Sequence, residues 1–97
     1  MTKKQFGNIK EGDTLVITDK AFNPETVFYN HIQHIRDRMP ANTTATAITK
    51  ARKEDGQWYV FMQPDGEDPN GDMPPIQLWD TFHHMFEKKR KRTSKKQ

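Results

Sequence analysis

The stretch from Thr44 to Gln63, TATAITKARKEDGQWYVFMQ, constrains this chain more than any other, because it reads as a β-hairpin. Asp55-Gly56 lies between two alternating runs, and Asp-Gly is the pair that best tolerates the positive φ angles of a type I′ turn. With those two residues at the tip, Glu54 faces Gln57, and the ladder pairs Arg52 with Tyr59, Ala51 with Val60 and Lys50 with Phe61. Side chains alternate across a strand, so this register sorts the residues onto two faces. Ala45, Ala47, Ala51, Trp58, Val60 and Met62 share one face, which reads as core. Lys50, Arg52, Tyr59 and Phe61 share the other. Two cations beside two aromatic rings is the combination that holds phosphates and stacks bases. The plainer reading is that another element covers the rings while the cationic stems lie along them.

A strand is also expected at Thr14–Thr18, where Leu15 and Ile17 share a face after a turn at Gly12-Asp13. Asn23-Pro24 reads as a helix start, and Phe28, Ile32, Ile35 and Met39 then recur at helical spacing until Pro40. Leu78, Trp79, Phe82, Met85 and Phe86 predict a second amphipathic helix. These elements give an α+β class: a small antiparallel sheet of about three strands, near 13–18, 44–52 and 58–63, with two amphipathic helices, near 24–38 and 76–89, packed on one face. Residues 1–8 are expected to fray, with Phe6 as a candidate for docking on the body. Residues 1–87 are expected to form a single compact domain and residues 88–97 a basic flexible tail.

Charged residues make up 30% of the chain and apolar ones only 32%, so part of it is expected to lie outside the packed core. Without cysteine there is no disulfide framework and no thiolate metal site, which fits a reducing compartment. The N-terminus has no apolar signal region, and no apolar run is long enough to span a membrane. A cytoplasmic protein that does not engage membranes is the expectation.

Charge is unevenly distributed. Residues 87–97 hold seven Lys/Arg and one Glu, whereas residues 1–86 hold nine basic and twelve acidic residues. The tail cluster Lys88, Lys89, Arg90, Lys91, Arg92, Lys95 and Lys96 would release condensed counterions from a polyanion. The opposite charge is concentrated in the loop 64–75, where Asp65, Glu67, Asp68 and Asp72 lie among turn formers. That loop lacks the twelve-residue spacing of a calcium site. His31/His34 and His83/His84 do not make a recognisable metal motif. No nucleophile motif, phosphate loop or carboxylate pair points to catalysis, and no cofactor is expected.

Ile9-Lys10-Glu11-Gly12-Asp13-Thr14-Leu15-Val16-Ile17 resembles the opening of SH3-like barrels of the KOW type, in which a Gly-Asp turn launches the first strand. The resemblance implies binding of nucleic acid, or of ribosomal and transcription proteins, through sheet and loop residues. The helix expected at 24–38 stands where that family has its first long loop, and its later short strands are not legible after residue 63. In style the chain is similar to small accessory proteins of bacteriophages. The function expected is that of a small non-enzymatic nucleic-acid-binding accessory protein, taking DNA or RNA on the tail and on Lys50, Arg52, Tyr59 and Phe61. The alternative is a protein-interaction module or enzyme inhibitor that uses the acidic loop 65–72 as its contact surface. An exposed edge strand at 14–18 or 44–52 would also support a homodimer.

Overall fold

The computed structural model describes residues 1–67, 71 and 73–89. Its backbone is a six-stranded antiparallel sheet: β1 (Thr14–Ile17), β2 (Thr44–Ala47), β3 (Arg52–Glu54), β4 (Gln57–Pro64), β5 (Ile76–Trp79) and β6 (Phe86–Lys89). Among the described residues, helix is confined to α1 (Lys3–Gly7), α2 (Gln33–Arg38) and three 3-10 turns at Asp19–Phe22, Tyr29–Ile32 and Asp80–Met85. The expected α+β layout of three strands under two long helices is therefore incorrect, and the molecule is richer in sheet.

The hairpin forms at the expected tip. Asp55 and Gly56 have φ of 53° and 83°, both positive as a type I′ turn requires, and Arg52, Lys53 and Glu54 pair with Tyr59, Trp58 and Gln57. Beyond Arg52 the expected ladder breaks. Ala47 pairs with Met62, so four residues, Ile48 to Ala51, face only two on β4. The bulge is stitched by Phe61, whose N–H donates to Thr49 Oγ1 at 3.3 Å and whose carbonyl accepts from Ile48 N at 2.9 Å. Because the extra length is two residues, the faces do not invert. Ala45, Ala47, Ala51, Val60 and Met62 are all buried on one side, as the alternation requires.

Met62 pairs with Ala47 on one side and Ile76 on the other, and Tyr59 likewise with Arg52 and Trp79. β2 and β3 thus follow one another along the same edge of β4, with β5 on the opposite edge. β1 lies between β2 and β6. β1 and β2 are consequently inner strands, and the exposed edge expected at 14–18 or 44–52 is not found along them.

Both long helices fail for identifiable reasons. At 23–28 the Asn23 side chain accepts from Glu25 N at 2.9 Å, and its carbonyl accepts from Thr26 N. The Asn-Pro pair therefore closes a turn rather than capping a helix. Phe28 then adopts φ 67°, a left-handed conformation that ends any continuous helix, and the residue is 42% exposed. Only the stripe's later members, Ile32, Ile35 and Met39, are fully buried. At 76–89 the apolar residues belong to strand, 3-10 turn and strand. Leu78, Met85 and Phe86 are buried from three successive elements. Lys88 and Lys89 are rungs of β6, opposite Leu15 and Thr14.

The core fills one face of the sheet. Leu15, Ile17, Ala45, Ala47, Val60, Met62, Ile76, Leu78 and Phe86 meet Phe6, Ala21, Ile32, Ile35, Met39 and Met85 from the helical turns. Each fully buried large side chain contributes roughly 1.5–3 kcal/mol. The N-terminal segment joins this core. Thr2 and Gln5 form a capping box, so the fraying expected over 1–8 does not occur, while Phe6 docks as expected and is completely buried. The excursion from 18 to 43 is held by Arg36, which donates to the carbonyls of Ala21 and Tyr29 and to the Gln33 side chain while stacking 3.7 Å above the Tyr29 ring. No helix among the described residues is long and apolar enough to cross a membrane.

Candidate nucleic-acid interface

The strand register builds a row of side chains across the sheet on the face opposite the core. Tyr59 sits at its centre on β4, with Arg52 directly opposite on β3 and Trp79 directly opposite on β5. Cross-strand partners share a face, so the three project to the same side. Phe61, two residues along β4, projects there as well. The Tyr59 and Trp79 ring centroids are 5.0 Å apart and tilted by 48°, while Tyr59 and Phe61 meet edge to face at 5.8 Å. All three rings are partly exposed and Arg52 is exposed. The helical turns that complete the core thus leave these rings in contact with solvent.

Cations flank this row on the β3 side. Lys50 and Arg52 line a surface groove of about 530 Å³ together with Lys10, Glu11, Ile48 and Thr49. The bulge makes the groove. Two extra residues between β2 and β3 push Ile48–Lys50 out of the ladder, and Lys10 and Glu11 come alongside because Ala51 N donates to Ile9 O and Gly12 N to Ala47 O. Lys10 also lines a second groove of about 500 Å³ with Asp13, Glu87, Lys88 and Lys89. Lys10 is thus common to two grooves in which Lys50, Arg52, Lys88 and Lys89 stand among Glu11, Asp13 and Glu87.

Of the residues expected to contact nucleic acid, Lys50, Arg52, Tyr59 and Phe61 come together. Lys88 and Lys89 stand on β6, where Lys88 forms an ion pair with Asp13 at 3.2 Å. Arg90, Lys91, Arg92, Lys95 and Lys96 lie outside the described residues. Trp79 and Lys10 join the cluster without having been expected there. The spacing of Leu78, Trp79, Phe82, Met85 and Phe86 predicts a helix there, although Ile76-Gln77-Leu78-Trp79 also has the alternation of a strand.

The acidic loop is engaged by the body of the protein. Asp65 accepts from the hydroxyls of Thr44 and Thr46 at 2.5 and 2.6 Å. Glu67 takes a two-point contact from the Arg38 guanidinium, at 2.9 and 2.6 Å, and a further hydrogen bond from Gln63. Hydrogen bonding to that guanidinium holds the Glu67 carboxyl below its ordinary pKa and raises that of Arg38. Asp68 and Asp72 lie outside the described residues. The histidines are dispersed: His83 Nδ1 meets the Met1 carbonyl at 2.6 Å, His84 Nε2 meets that of Val27 at 3.1 Å, and His31 and His34 are exposed on the excursion. Among the described residues no group of three or more His, Asp or Glu is arranged to hold a metal ion. The chain matches no protein-family model, no curated protein and no solved structure.

Proposed function

We propose that this chain is a small, non-enzymatic, cytoplasmic nucleic-acid-binding protein that takes its ligand on the outer sheet face. The observation that carries this reading is the row Arg52–Tyr59–Trp79, partly exposed and bordered by the Lys10/Lys50 groove. Aromatic rings beside guanidinium and ammonium groups offer stacking and phosphate neutralisation within one ligand's reach. The cations of residues 90–97 add sequence-independent attraction. The resemblance of residues 9–17 to the opening of SH3-like barrels points to the same class of ligand. Against a contact surface on the acidic loop stands the internal engagement of Asp65 and Glu67.

The test is the salt dependence of binding to a mixed-sequence oligonucleotide. Truncation must begin at Arg90, because Lys88 and Lys89 pair with β1. Removing residues 90–97 takes away five cations, and the slope of log K against log salt should flatten by up to about 3.5 on a single strand. Residual binding should disappear with Arg52→Glu and Lys50→Glu. If neither change alters affinity, or if nothing binds at low salt, the reading is wrong.

A further inference from the structure

We infer that the outer face is built for single-stranded nucleic acid, with unpaired bases resting on Tyr59 and Trp79 and phosphates following the Arg52–Lys50–Lys10 side. This rests on the function proposed above and narrows its ligand.

Ring faces can stack only on base faces. In a duplex those faces are covered, since neighbouring bases already stack at about 3.4 Å per step along each strand. Duplex readers instead offer helices or ribbons whose polar groups reach base edges in a groove. The described outer face has no helix to insert, and its centre is aromatic: Tyr59 with Trp79 at 5.0 Å and Phe61 at 5.8 Å. Such a surface gains little from a closed helix and much from splayed bases.

The cations are disposed to match. Arg52 is the immediate cross-strand neighbour of Tyr59, on the side away from Trp79. Among the described residues, Lys50 and Lys10 continue from it along one groove. A backbone held along that groove would direct its bases across β4 toward β5. The rings are anchored for the purpose. Tyr59 and Trp79 lie on paired strands whose alternate residues, Val60 and Leu78, are completely buried. Stacking therefore costs little ordering of the protein.

Charge alone predicts the opposite preference, because a duplex presents a denser array of phosphates. Preference for the single strand is thus a sharp test. The full chain is titrated with a mixed-sequence DNA 12-mer and with the same sequence as a duplex, at equal salt. The single strand should bind at least ten-fold more tightly. Tyr59→Leu and Trp79→Leu keep an apolar cover on the sheet but remove the π face. Each should weaken the single strand by about ten-fold and leave the duplex within two-fold, while Trp79→Phe should retain most of the affinity. Equal or tighter duplex binding, or leucine variants that weaken both ligands alike, would overturn the inference and leave general nucleic-acid binding standing. Absence of binding to either oligonucleotide would overturn both. Where a leucine variant does not fold, the single-strand to duplex ratio of the unaltered chain decides the matter alone.

Discussion

Trp58 and Trp79 show how little of a residue's role lies in its own chemistry. Both are partly exposed indoles on neighbouring strands. Trp79 belongs to the outer row, whereas Trp58 packs on the core side against Gly7 of α1. A Cβ at Gly7 would come within 2.8 Å of the Trp58 ring, a rigid neighbour with no free end to swing aside. Gly7→Ala should therefore cost about 1–3 kcal/mol in urea unfolding despite the alanine's better helix propensity. Arg38 and Glu67 supply a second test at this scale. Their two-point contact lowers the folded-state pKa of Glu67 below its unfolded value. The stabilisation is thus complete above the unfolded value and is lost as pH falls through the folded one. Both side chains still touch water, so it should amount to no more than about 1 kcal/mol. Glu67→Gln should lower stability at pH 7 by about that amount and make the decline below about pH 5 shallower.

Elements differ in how openly the sequence announces them. The hairpin and β1 were legible because strict alternation and an Asp-Gly tip act over a few adjacent residues. The bulge at Ile48–Ala51 was not, since nothing local requires the ladder to skip two residues. What holds it is tertiary: the Thr49 hydroxyl accepting from Phe61 N and Ile9 O accepting from Ala51 N. Thr49→Val keeps the shape but removes that acceptor, and should cost about 1 kcal/mol, whereas Thr49→Ser should be nearly neutral in the same denaturant titration. The stretch 76–89 misleads for another reason. Two four-residue strands joined by a six-residue 3-10 turn place apolar residues at i, i+1, i+4, i+7 and i+8, the signature of a helix. With β5 concealed, Trp79 could not be assigned to the aromatic face. Four members of that face, Tyr59, Phe61, Arg52 and Lys50, are readable from the hairpin; Trp79 depends on which strand pairs with the far edge of β4, and Lys10 on how the 9–12 turn meets the bulge.

At the scale of the described molecule, one side of the sheet is closed by helical turns, and the other carries the aromatic row with its flanking cations and, beside Thr44, Thr46 and Gln63, the engaged carboxylates Asp65 and Glu67. The described body and residues 90–97 divide the proposed work. The body supplies stacking, which is insensitive to salt, with phosphate contacts from Arg52, Lys50 and Lys10, and residues 90–97 supply further charge, which salt screens. A chain ending at Lys89 should therefore keep its preference for single strands while losing affinity and salt slope, measurable by titrations at two salt concentrations. Nuclear magnetic resonance with a short single-stranded oligonucleotide most directly tests whether the outer face is where nucleic acid binds, because the two tryptophans report on opposite sides of the sheet. The indole N–H of Trp79 should shift on titration, together with the Tyr59 and Phe61 ring signals, while that of Trp58 stays in place. Shifts at Trp58 alone, or none at either indole while the oligonucleotide is bound, would contradict the account.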